Sequence, residues 1–473
     1  MSKFHFFSLK TWYIIFFMIG LGLNAQEKRP NIVLIMADDL NYDDISPYGN
    51  KQVKTPNLEK LASQGMSFDN MFTTTAMCSP SRQQILSGLY PVRSGAFPNH
   101  SYVYKGTKSI AHYMKESGYL PAVLGKKHFG DKSSFPFNYL GGIAKGKHKI
   151  ASLNKAKDFI AEAGEQPFFL LVASLQPHVP WTVGDTSLYP PEKIAVPEYM
   201  VDTPKTRESL SKYYAEVTYF DGLVGRVIKM LEKSGKADNT IIIFTSEQGS
   251  QFPFAKWTCY DHGLKTSFIV KWPGKVKPNS RNLVLLQYVD VVPTLLDIVG
   301  TNPKTINTGR KDAYGNTGFD GISFKKNLLD VNQDGRDFVF GVQTTKGIHF
   351  GSESYPIRSV RNDEFLMIKN LNHTTKFSNI VVNKGVIKDW SAVNKKRAQA
   401  YRKRPAIELY DVKKDPYQLH NLAGKSKYSK VISELEIPLR EFMVQQGDKG
   451  MLTEADAILR QPKPKKNTNT KKH

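Results

Sequence analysis

Ile32-Val33-Leu34-Ile35-Met36 is an unbroken apolar run that stops at Ala37-Asp38-Asp39. A run of that length without polar alternation predicts a strand buried on both faces, as in a parallel sheet. Two more runs share the form. Residues 168–173 end near His178, and Thr240-Ile241-Ile242-Ile243-Phe244-Thr245 ends in Ser246-Glu247-Gln248-Gly249. Between them, residues 210–231 put Tyr213, Val217, Phe220, Val224 and Ile228 on one helical face. A shorter helix is expected over 57–64, stopped by Gly65. Strands alternating with helices predict an α/β domain, its mostly parallel sheet flanked by helices. Pro121 interrupts a further apolar run and predicts that this strand lies at a sheet edge.

Beyond about Asp334 the pattern changes. Short candidate strands at 338–343, 357–361, 365–369 and 408–411 have turn signals between them and little helix. They predict a small antiparallel sheet, closed by a helix over 431–445. Residues 302–317, rich in Asn, Gly, Thr and Lys, read as a surface loop. The expected division is 1–25 as a signal segment, 26–335 as a catalytic domain, 336–460 as a smaller α+β domain, and 461–473 as a basic disordered tail.

The ends and the composition bound the function. Lys3 and Lys10 precede an apolar run over 11–23, too short for a comfortable membrane span, with a cleavage point after Ala25. No cysteine lies there to take a lipid, so the mature chain is expected to be exported, periplasmic or secreted, and free of the membrane. The formal charge is +23, spread along the chain as well as in the five lysines of 463–473. Such an excess favours a polyanionic partner. Nucleic acid is one candidate polyanion and sulfated polysaccharide another, and no zinc-finger, RRM or helix-turn-helix pattern favours the first. Two cysteines, Cys78 and Cys259, are too few for a disulfide framework.

Cys78-Ser79-Pro80-Ser81-Arg82, with Leu86-Ser87-Gly88 behind it, carries the chemistry. Ser79 suits an N-cap and Pro80 the first helical position. Arg82 follows Cys78 by one turn and faces the same side. A helix start beside a guanidinium is suited to an anion. Asp38-Asp39 and Glu247-Gln248 each lie just past a strand, where open α/β sheets bind ligands. An all-oxygen set of carboxylates and an amide suits a hard cation such as Ca²⁺. In Gly125-Lys126-Lys127-His128, an extended backbone projects Lys126 and His128 to one side. The lysine offers a point charge and the histidine a proton carrier near neutrality. His178, bracketed by prolines, and Lys256, in Phe254-Ala255-Lys256-Trp257, gain weight only from this company.

Taken in order, these motifs resemble the type I, formylglycine-dependent sulfatases over nearly the whole mature chain. The ending Glu408-Leu409-Tyr410-Asp411, with Asp415-Pro416 and Asn421-Leu422, resembles that family's C-terminal region. The resemblance implies an alkaline-phosphatase-like fold and a sulfuric ester hydrolase. It implies that a maturation enzyme converts Cys78 to formylglycine (3-oxoalanine), with Arg82 supporting it. It also implies calcium held by Asp38, Asp39, Glu247, Gln248 and residue 78, sulfate oxygens bound by Lys126 and Lys256, and protons handled by His128 and His178. Glu247-Gln248 departs from the family's usual Asp-Asn or Asp-His by one methylene per side chain, and Ser87 stands where threonine is more frequent. Gly125–Gly130, Phe252-Pro253-Phe254 and Tyr355-Pro356-Ile357-Arg358-Ser359-Val360 are most similar to the heparan N-sulfatase (sulfamidase) branch. The implied reaction is hydrolysis of sulfate esters in a sulfated polysaccharide. N-desulfation of glucosamine, and a phosphodiesterase or phosphonate hydrolase of the same superfamily, are the alternatives.

Overall fold

The computed structural model describes residues 28–144, 149–150 and 152–461. The signal segment and the basic tail read from the sequence lie outside these residues.

The three apolar runs are the middle of an eight-stranded sheet. In chain order its strands are β1 (Asn31–Ala37), β2 (Met66–Phe72), β3 (Leu120–Gly125) and β4 (Asn138–Gly141). A two-residue hairpin of β5 (Ile143–Ala144) and β6 (Lys149–Ile150) stands apart. β7 (Phe168–Ala173), β8 (Thr240–Ser246), β9 (Lys265–Lys271) and β10 (Ser280–Gln287) complete the sheet, in the order β10-β2-β9-β8-β1-β7-β3-β4. Every pairing is parallel except the two made by β9. β1, β7 and β8 are buried along their whole length, as their composition requires.

Alternate residues of β1 enter different cores. Val33 and Ile35 meet Tyr213, Val217, Phe220 and Val224 of the long helix Pro204–Lys233. Ile32, Leu34 and Met36 meet Ile85, Leu86 and Ile110 on the opposite face. The helices on both faces and the mostly parallel sheet are those read from the sequence. The long helix begins ahead of the apolar stripe, where the Thr203 side chain accepts from the Thr206 amide as an N-cap.

Two local expectations are corrected. Pro121 does not mark an edge, because β4 flanks β3 on its outer side. Leu120 donates its amide to Pro167 on the β7 side, so position 121 faces the other way, and pairing with β4 begins only at Ala122. A missing N–H costs nothing there. Helix Cys78–Ser87 starts two residues sooner than expected, with Met77, not Ser79, as the extended residue ahead of it. Pro80 fits because the first four helical amides have no partner within the helix.

The second sheet is antiparallel and four-stranded, formed in order by β11 (Val339–Gln343), β12 (Ile357–Arg361), β13 (Phe365–Asn370) and β14 (Ile407–Asp411). Helix Ser429–Gln446 covers it, with Leu435, Leu439 and Phe442 against Val342, Val360, Met367 and Leu409. Three short helices between 380 and 402, and a last one at Met451–Arg460, go beyond the sequence reading. Among the described residues, no helix is long and apolar enough to cross a membrane.

Candidate active site

Register brings four loops to one edge of the large sheet. Ala37 is level with Ser246, Met36 with Ala173, and Ala173 with Gly125. The residues that follow those strand ends therefore emerge side by side, beyond the carboxyl ends where such sheets bind ligands. Gly125 adopts φ 97°, and a Cβ there would lie 2.0 Å from the Ala173 carbonyl oxygen. Only glycine turns the chain so close to β7, and Lys126 enters the site from that turn. Asp39 is itself left-handed, at φ 63°.

Cys78, on the first turn of its helix, lies at the centre. Its Sγ is 3.6 Å from Asp38 Oδ1 and 3.9 Å from Asp39 Oδ1. Gln248 Nε2 is 2.7 Å from Asp39 Oδ1, 3.5 Å from Cys78 Sγ and 3.1 Å from Glu247 Oε1. Lys256 Nζ donates to Asp39 Oδ2 at 2.6 Å, and His178 Nε2 is 3.6 Å from the same oxygen. Lys126 bonds Asp38 and stands 3.9 Å from Glu247 Oε1. Arg82 pairs with Glu247 through Nε, reaches Asp38 Oδ2 at 3.6 Å, and donates to the Lys126 carbonyl at 3.2 Å. The structure thus brings together every site residue read from the sequence. The route at 126–128 differs from the extended one expected, since His128 has φ 45°.

The electrostatics follow from burial against pairing. Burial disfavours the Asp38 charge, but Lys126, Glu247 and His178 together bring that carboxyl down to about 2. Burial raises Asp39, with Lys256 and His178 offsetting only part, and raises Glu247 far more, with Arg82 opposing. Burial also pushes the Cys78 thiol up, and Lys126 and Lys256 more than reverse it. His178 is raised, because Asp39, Asp38 and Cys78 together overcome its burial. Its Nδ1 donates to the Val179 carbonyl at 2.5 Å, leaving Nε2 for the site. His128 is lowered by burial and by Lys126, which keeps it neutral.

These groups are placed to hold a metal ion. Asp38, Asp39, Cys78 and His178 each offer a ligand atom, all within 4.8 Å of one another. Gln248 Oε1 is buried without a hydrogen-bond partner, and such an oxygen is costly unless something claims it. The longer Glu247-Gln248 pair keeps its reach, one side chain turning to Arg82 and the other to Asp39.

Two members of the site carry no sequence signal. His100 Nδ1 lies 2.8 Å from His128 Nε2. Asn41 ties the strand-end loops together, its Oδ1 accepting from the Ser250 amide at 2.8 Å and its Nδ2 donating to Asp44. Both are ordinary loop residues in sequence, joined to the site only by long-range folding.

A sulfatase family model matches residues 30–301. An ulvan-active sulfatase of Formosa agariphila is 28% identical over 444 residues, covering 90% of this chain and 82% of that protein. The N-sulphoglucosamine sulphohydrolase of Homo sapiens is 27% identical over 480 residues, covering 90% and 92%. A solved structure in complex with its substrate D-glucosamine-2-N,6-O-disulfate superposes with a TM-score of 0.68 at 20% identity, over 89% of this chain and 99% of that one.

Proposed function

The chain belongs to the sulfatase family and is a sulfuric ester hydrolase, and from that premise we propose that it is exported and removes O-sulfate from a sulfated polysaccharide or its oligosaccharides. The observation that supports this most is the convergence of Asp38, Asp39, Glu247, Gln248, Lys126 and Lys256 on Cys78 at a helix start. The ulvan-active and glucosamine-acting relatives support a glycan substrate.

In this reading a maturation enzyme converts Cys78 to formylglycine, whose hydrate supplies one hydroxyl to attack sulfur and a second on the same carbon to release sulfate. Asp38, Asp39, Glu247, Gln248 and residue 78 would hold calcium, which would supply positive charge for the sulfuryl oxygens. Lys126 and Lys256 turn their ammonium groups to those oxygens, and Arg82 steadies Glu247 beside residue 78. His178 carries its proton on Nε2 and gives it to the departing sugar oxygen. His128, neutral, takes the proton of the second hydroxyl, with the His100 ring against its Nε2. The similarity to the human N-sulphoglucosamine sulphohydrolase favours N-desulfation as the second reading.

The test is desulfation of defined ulvan, heparan and N-sulfated glucosamine oligosaccharides, read by mass spectrometry, with phosphate and phosphonate esters alongside. Release from O-sulfated glycans is expected. Turnover of the N-sulfated sugar alone would reverse the preference, and turnover of phosphorus esters alone would refute sulfate as the substrate.

A further inference from the structure

A cavity of about 380 Å³ lies between helix Asn154–Ala163 and helix Pro204–Lys233, apart from the catalytic side chains. Lys157 enters it from the first helix, and Arg226, Lys229 and Lys233 from the second. Positions 226, 229 and 233 follow helical spacing, so their side chains share one face over about 10 Å. No carboxylate lines the cavity, and among the described residues none of these four cations has a carboxylate partner. Elsewhere on the surface comparable lysines are paired, as Lys205 and Lys212 are with Glu208. A second cavity of about 450 Å³ shares Lys157, Met230 and Lys233 with the first, and the one carboxylate in its lining, Glu165, is already paired with Lys28 and Lys236.

Like charges gathered in one concavity repel, and an anion relieves that repulsion. The rest of the lining selects among anions. Asn154 and Ser152 offer hydrogen bonds, while Leu223 and Met230 offer an apolar floor. Tyr219 is the one aromatic residue in the lining, too few for the stacked platforms of single-stranded nucleic acid. Gln176, buried in the same wall, lies two residues before His178, so the groove leads toward the catalytic loop.

We propose that this groove is a second glycan-binding site, holding sulfated sugars of the substrate chain at a distance from the bond being cleaved. The proposal rests on the sulfated-glycan reading above, and its test can fail separately. Binding of long ulvan and heparan sulfate chains is titrated at low ionic strength with protein carrying Cys78→Ala, so that no turnover is needed. Arg226→Ala/Lys229→Ala/Lys233→Ala, and independently Lys157→Glu from the other helix, are each expected to weaken binding, the triple variant about ten-fold. The difference should vanish near 1 M salt, where screening acts within about 3 Å. In protein with Cys78 intact, both variants should leave kcat/KM on a sulfated monosaccharide unchanged. Unchanged affinity for long chains in both variants would overturn the proposal. So would equally tight binding of single-stranded DNA or anionic vesicles through the same residues. Loss of chain binding in the variants, from a protein that desulfates nothing, would uphold the groove and refute the catalytic reading.

Discussion

The charges beyond β1 and β8 and the Arg358–Asp448 pair of the second sheet are comparably buried, yet they are built to different ends. Every guanidinium nitrogen of Arg358 has a partner. Nε and Nη2 go to Asp448, and Nη1 goes to the Gln343 and Ile357 carbonyls. Asp448 also accepts from the Gly450 amide. No nitrogen of the guanidinium is left without a partner, and no solvent reaches either side chain. Around Cys78, by contrast, Gln248 Oε1 has no partner, Asp38 and Asp39 crowd one thiol, and His178 keeps 27% of its side chain exposed. Burial of charge does not by itself mark a site. Unspent valency with a path to solvent does.

The largest expected effects test that contrast on the catalytic side. Asp38→Ala or Asp39→Ala should lower kcat by at least about 10³-fold, as loss of charge stabilisation at a reacting centre does. The folded structure, followed by circular dichroism, should survive. Chelation followed by dialysis should likewise abolish turnover, and added calcium should restore it. Full activity in metal-free protein by elemental analysis would remove the cation from the mechanism.

Next in size is the structural pair. Arg358→Ala should destabilise the protein by about 3–5 kcal/mol, because it strands a buried carboxylate. Thermal unfolding should show the loss, while KM of whatever enzyme remains folded stays at its original value. A selective change in KM would move Arg358 into the substrate site.

The smallest effect is a pH dependence at an intermediate case. Buried His262 faces Asp43 at 3.2 Å. Burial opposes its charge, but Asp43 prevails and raises it above 6.5. Burial likewise opposes the Asp43 charge, and His262 holds that carboxyl below 3.8. The histidine's share of stability is fully present below its unfolded value and is lost as pH rises through the raised one. The aspartate's share is present above 3.8 and is lost on acidification. His262→Gln should therefore destabilise more at pH 5.5 than at pH 8.5, as read by denaturant midpoints. An equal loss at both would mean that the ring contributes packing alone.

How much of this was legible in sequence depends on the range of the forces. β1, β7 and β8 announce themselves because a strand buried on both faces has nowhere to put a polar residue. The four strands of the second sheet were legible from their turns. β2 was not, since Met66–Phe72 mixes Ser67, Asp69 and Asn70 into its run. Nor was the antiparallel insertion of β9 between β2 and β8, which pairs residues far apart in the chain. The short helices between 380 and 402 are held by tertiary burial, with Trp390 and Tyr401 fully enclosed. In the site, the strand-end acids and the Cys78 motif could be read because chemistry and position coincide there. His100 could not, because its place depends on a contact with His128 that no local pattern encodes. Arg358 lies in a stretch that resembled the sulfamidase branch, but its buried pairing with Asp448 in β12 is a long-range contact that the local pattern does not encode.

The account stands or falls on residue 78. Peptide mass spectrometry of active, correctly exported enzyme, set beside its rate on a sulfated oligosaccharide, tests it most directly. The prediction is formylglycine at position 78, with activity across preparations proportional to the converted fraction. Full activity from protein bearing only unmodified cysteine there would contradict it.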